Sequence, residues 1–132
     1  MKKIRLALLD MNNNQTNQGM RNIREISQVF KENSDEVIEI EIFEVRYKNE
    51  FPNVEDFDIF ISSGGPGNPH REGFEWEQKF ADFLDKIWNF NKNNDQKKYA
   101  FLICHSFQLA SIHWKLGNIC KRKSYSTNII GC

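Results

Sequence analysis

The order of apolar and polar positions along the chain predicts strands alternating with helices. Lys3 to Asp10 (KIRLALLD) is a short apolar run closed by an acidic residue, the pattern of a buried strand. Met11 to Gly19, rich in Asn, Gln and Gly, marks a loop. Between Met20 and Lys31 the apolar residues Met20, Ile23, Ile26, Val29 and Phe30 recur at the spacing of an amphipathic helix, which Asn33-Ser34-Asp35 ends. Val37 to Val45 (VIEIEIFEV) alternates apolar and acidic positions and reads as a half-exposed strand, suited to a sheet edge.

After a loop holding Pro52, Phe57 to Ser62 (FDIFIS) forms a third strand and runs into Ser63-Gly64-Gly65-Pro66-Gly67-Asn68-Pro69, turn chemistry throughout. Trp76, Phe80, Phe83, Leu84, Ile87 and Trp88 line one side of the strongest helix. The polar stretch Asn91 to Lys98 connects it to Tyr99–Ile103 (YAFLI), a continuous apolar strand expected to be buried on both faces. Ser106 to Leu116 has helical spacing, and Gly117 suits the position after a helix end. This alternation predicts an α/β fold, a flavodoxin-like parallel sheet with helices on both faces, in one domain over residues 1–132. Gly117 to Lys121 reads as the start of another strand, and Asn128 to Cys132 breaks off in an apolar run, so the sheet is expected to be incomplete at its C-terminal end.

Composition narrows the function classes. Lys+Arg and Asp+Glu both number 18, so the zero net charge argues against a nucleic-acid binder driven by phosphate neutralisation. Eleven Phe and 39% hydrophobic residues supply a core. No run approaches the ~20 apolar residues of a membrane span, and the basic start Met1-Lys2-Lys3 lacks the apolar stretch of a signal peptide. The three cysteines, Cys104, Cys120 and Cys132, have neither a metal-ligand spacing nor an even count, so the chain reads as cytoplasmic, with reduced thiols and without a metal or other cofactor.

Two features at strand carboxyl ends carry chemistry, and ligands of open α/β sheets bind at such ends. In Ile103-Cys104-His105-Ser106-Phe107-Gln108 a cysteine stands between a buried strand and a helix. The helix N-terminus favours thiolate there, and the His105 N–H is placed to donate to an oxyanion. The second feature is the glycine loop, where Gly64, Gly65 and Gly67 let the backbone approach a ligand closely. A thiolate facing such a loop suits acyl transfer through a thioester.

Ser63-Gly64-Gly65-Pro66-Gly67 followed by Ile103-Cys104-x-x-x-Gln108, with the opening Leu8-Leu9-Asp10, resembles the class I (triad) glutamine amidotransferases, among them the amidotransferase domain of GMP synthases. The resemblance covers essentially the whole chain. It implies that Cys104 attacks the side-chain amide of glutamine and that the N–H groups of Gly65 and His105 hold the oxyanion. It further implies that Gly64, Gly67 and Gln108 bind the substrate, and that ammonia passes to a synthetase partner.

The chain departs from that pattern at Leu102 and Ser106, where the family carries glycine, and no His-x-Glu segment follows Cys104. His113 lies nine residues along the helix, roughly 13 Å away at about 1.5 Å per residue, and His70 is the one local stand-in for the base. The chain is therefore expected to be inactive as it stands. Two alternatives remain. The DJ-1/PfpI group also places histidine after its cysteine, as in Cys104-His105, but uses an acidic partner from the loop after the first strand, where this chain offers Asp10 and amides. The other is a non-catalytic binding module of the same fold.

Overall fold

Each apolar run becomes a parallel strand because a helix or long connection returns the chain to the same end of the sheet. The computed structural model describes residues 2–120. Its strands are β1 (Lys3–Asp10), β2 (Val37–Glu44), β3 (Ile59–Ser62) and β4 (Tyr99–Leu102), all parallel, in the order β2-β1-β3-β4. The helices are α1 (Gln18–Asn33), the single turn α2 (Val45–Lys48), α3 (Glu75–Asn93) and α4 (His105–His113). This is the α/β, flavodoxin-like arrangement that the alternation predicts. No helix among the described residues is long and apolar enough to cross a membrane.

The pleat sends alternate residues of β1 to opposite faces. Ala7 and Leu9 join Phe60, Trp76, Phe80, Phe83, Leu84, Ile87 and Ala110 in the main core, beneath α3 and α4. Leu6 and Leu8 meet Met20 of α1, with Ile23, Ile40, Ile59 and Ile61 packed around them. Helices thus lie on both faces, but the two layers are unequal. The α3 side holds the edge-to-face Phe60–Phe83 pair, whose ring centroids are 5.2 Å apart.

Three expectations change. Ile26, Val29 and Phe30 of α1 are exposed, because α1 is the one helix on its face among the described residues. β4 is not buried on both faces: it is the last strand of the described sheet, with Tyr99 67% and Phe101 65% exposed. Residues 117–120 form no strand; Lys121 and the run from Asn128 to Cys132 lie outside the described residues.

The register aligns the strand ends on one rim: Asp10 pairs with Glu44, Leu9 with Ser62, and Ser62 with Leu102. Backbone pairing continues one step past the strands, through Ser63 N–H to Leu9 O at 3.0 Å and Ile103 N–H to Ser62 O at 3.1 Å. The loops that follow β1, β3 and β4 therefore emerge side by side.

Candidate active site

Only Ile103 and Cys104 separate β4 from α4. To turn that sharply, Cys104 adopts φ 51° and ψ −109°. A non-glycine residue at positive φ with such a ψ is held there at a cost of about 1–3 kcal/mol, and such strain clusters at functional positions. Helix hydrogen bonding starts at once, with Ser106 N–H to Ile103 O at 3.1 Å and Gln108 N–H to Cys104 O at 3.0 Å. As the first residue of α4, His105 has an N–H without an intrahelical acceptor. Cys104 carries a free, exposed thiol.

The glycine loop lies against this turn. A Cβ built on Gly64 would stand 3.2 Å from Cys104 Cβ and 3.9 Å from its Sγ. One built on Gly65 would stand 2.2 Å from Met11 O, so only glycine lets the loop pass the end of β1. Gly67 takes φ +121° beside the Arg46 guanidinium. That guanidinium donates to Pro66 O and to Met11 O (3.4 Å) and lies 4.8 Å from the Trp76 ring centroid. Arg46 thus ties the glycine loop to the β1 loop and to α3. Burial lowers its pKa, opposed by the nearby Glu72 and Glu77 carboxylates.

Beneath the loops runs a buried polar network. Ser106 Oγ donates to Ser63 O at 2.6 Å and lies 2.6 Å from Ser62 Oγ. Ser63 Oγ accepts from Met11 N–H at 2.9 Å and from Asn12 Nδ2 at 3.4 Å. Asp10 Oδ1 accepts from the Asn12 main-chain N–H at 2.9 Å and from Asn12 Nδ2 at 3.0 Å. Asn13 and Asn14 follow with φ 49° and 62°, a region that Asn tolerates better than most residues. Ser106, which stands where the resembling family has glycine, thus cross-links the ends of β3 and the start of α4.

These elements enclose a cleft of about 700 Å³ lined by Cys104, Ile103, Gly64, Gly65, Pro66, Asn12, Gln15, Thr16, Asn17, Gly19 and Ile23. No charged side chain lines it. A second groove of about 780 Å³ lies across the β1 loop, shares Gln15, Thr16 and Asn17, and holds the charged Asp10, Arg21, Arg24, Glu25 and Glu44.

The structure therefore brings Cys104, Gly64 and Gly65 onto one surface. Gly67 and Gln108 do not line it: Gly67 sits at Arg46, and Gln108 lies within α4. The His105 ring is buried, 6.4 Å from Trp76 by ring centroids, and burial, followed by the Arg46 charge, holds its pKa below the ordinary 6.5. His113 pairs with Asp85 at 2.9 Å, and His70 is exposed outside the cleft lining. No histidine ring among the described residues lines the Cys104 cleft. The described residues also hold no cluster of His, Cys, Asp and Glu able to bind a metal ion.

The sequence reading missed Asn12, Arg46, Ser62, Ser63 and Ser106 as site-building residues. Asn12 and Ser63 stood in loops whose glycine and amide content was the visible signal. Arg46 gave none, because its partners Met11 and Pro66 lie 35 and 20 residues away. Comparison of the chain with protein-family models, curated proteins and solved structures found no match.

Proposed function

We propose that this chain is a glutamine amidotransferase-type domain in which Cys104 attacks the side-chain carboxamide of glutamine. The observation that carries the reading is the backbone of Cys104, strained at φ 51° and ψ −109° with Gly64 packed against its Cβ. That geometry raises the thiol above the sheet and lets glycine backbone approach it, which a merely packed cysteine does not need.

Attack of Sγ on the amide carbon forms a tetrahedral oxyanion, for which the N–H groups of Gly65 and His105 are the proposed donors. The C–N bond then breaks, the nitrogen leaves as ammonia carrying the former thiol proton, and a γ-glutamyl thioester remains. Water cleaves the thioester to glutamate and restores the thiol. The ammonia would pass to a synthetase partner. Since no histidine ring of the described residues lines the cleft, the reading requires a base from outside them. A DJ-1/PfpI-like chemistry fits less well, because Asp10 is engaged with Asn12 and lines the neighbouring groove, away from Cys104.

The full-length gene product incubated with glutamine is expected to release glutamate, and Cys104→Ala to abolish the release. Absence of glutamate from both proteins, with their folds intact by circular dichroism, would favour the non-catalytic module instead.

A further inference from the structure

Asn12 is 1% exposed yet lines the cleft that also holds Cys104. A buried carboxamide has four hydrogen-bonding positions to satisfy: two N–H donors and two acceptor lone pairs. Its orientation is fixed by chemistry, because the Asp10 carboxylate accepts only, so the group 3.0 Å from Asp10 Oδ1 is the Asn12 NH2. The second amide proton goes to Ser63 Oγ at 3.4 Å. Both donors are therefore committed, and Asn12 Oδ1 accepts no hydrogen bond from the described residues. Nor is that oxygen sealed off: the one fully buried side-chain polar atom without a partner among the described residues is Arg46 Nε. What remains is a rigid carbonyl-type acceptor at the wall of an otherwise uncharged cleft.

We infer that Asn12 is a specificity-determining residue of this cleft, its Oδ1 accepting an N–H from a substrate carboxamide. This rests on the proposed function and deepens it by naming the group that is read. An acceptor with no donor to offer favours –CONH2 over a carboxylate or an N-dialkylated amide, neither of which brings an N–H. A glutamate product would then meet an acceptor it cannot satisfy, which favours its departure.

Haloacetyl probes test this at Cys104, where Sγ–CH2 bond formation expels iodide. Iodoacetamide, N,N-dimethyl-2-iodoacetamide and iodoacetate are reacted with the intact chain, modification of Cys104 is followed by peptide mass spectrometry, and each rate is divided by that of glutathione. A hydrogen bond of ordinary strength predicts a normalised preference for iodoacetamide of about fivefold to tenfold over both other probes. Asn12→Leu is expected to erase that preference, and the probe series on the unaltered chain stands should that variant not fold.

Glutamine is expected to protect Cys104 from iodoacetamide. Protection together with a glutathione-like probe ratio would overturn the role of Asn12 alone. No protection by glutamine would overturn the proposed function and this inference with it.

Discussion

A methyl group at Gly65 has no room: its carbon would stand 2.2 Å from Met11 O and 3.0 Å from Met11 C, both backbone atoms. Since neither can swing aside as a side chain would, Gly65→Ala is expected to lower stability by about 1–3 kcal/mol or more in urea unfolding. Gly117→Ala, which meets nothing within 4 Å, should change it by no more than about 0.5 kcal/mol. At this scale the glycine loop and Cys104 were legible because Gly and Pro punctuate a sequence and a cysteine at a strand end stands out. Ser62, Ser63 and Ser106 were not. Each is a small hydroxyl of ordinary type, and its partner lies 43 or 44 residues away, so only the register of β3 with β4 brings them together. Ser106 even read as a departure from a glycine pattern, whereas its hydroxyl ties Ser62 and Ser63 beneath the loop.

Among the elements, α3 shows how a charge that looks like surface decoration does structural work. Its apolar stripe is readable from spacing alone, and that spacing does not distinguish Glu77 from the other charged residues between those positions. Glu77 is instead 93% buried, since its relative exposure is 7%. Its carboxylate accepts from Glu72 N–H at 3.1 and 3.0 Å and from Phe74 N–H at 3.1 Å. The interaction satisfies donors before the first turn of α3 and fixes the segment joining it to the glycine loop. Removing the charged acceptor of these N–H groups predicts a loss of about 1.5–3 kcal/mol for Glu77→Ala by chemical denaturation, with Glu77→Gln intermediate. Where periodicity misled, the cause was coverage: α1 and β4 have apolar patterns, but the described residues place no second layer over Ile26, Val29, Phe30, Tyr99 and Phe101.

For the molecule as a whole, the fold class followed from the alternation of strands and helices, while the pH response depends on long-range packing that the sequence does not display. His105 sits under the site with its pKa lowered chiefly by burial and then by Arg46. A depressed folded-state value means that the unfolded chain binds the proton more readily, so the associated stability is present above the ordinary 6.5 and is lost as pH falls below it. Unfolding free energy measured from about pH 7.5 down to 5.5 should therefore decline, and His105→Gln should flatten that decline across the same interval. Finally, the left-handed turn at Cys104 has a bearing on sequence drift. Typical domains hold only about 5–15 kcal/mol in total, so one residue kept about 1–3 kcal/mol above its relaxed state forgoes a sizeable share of the margin. Glycine would sit at position 104 without that penalty, and a lineage indifferent to the sulfur would gain by adopting it.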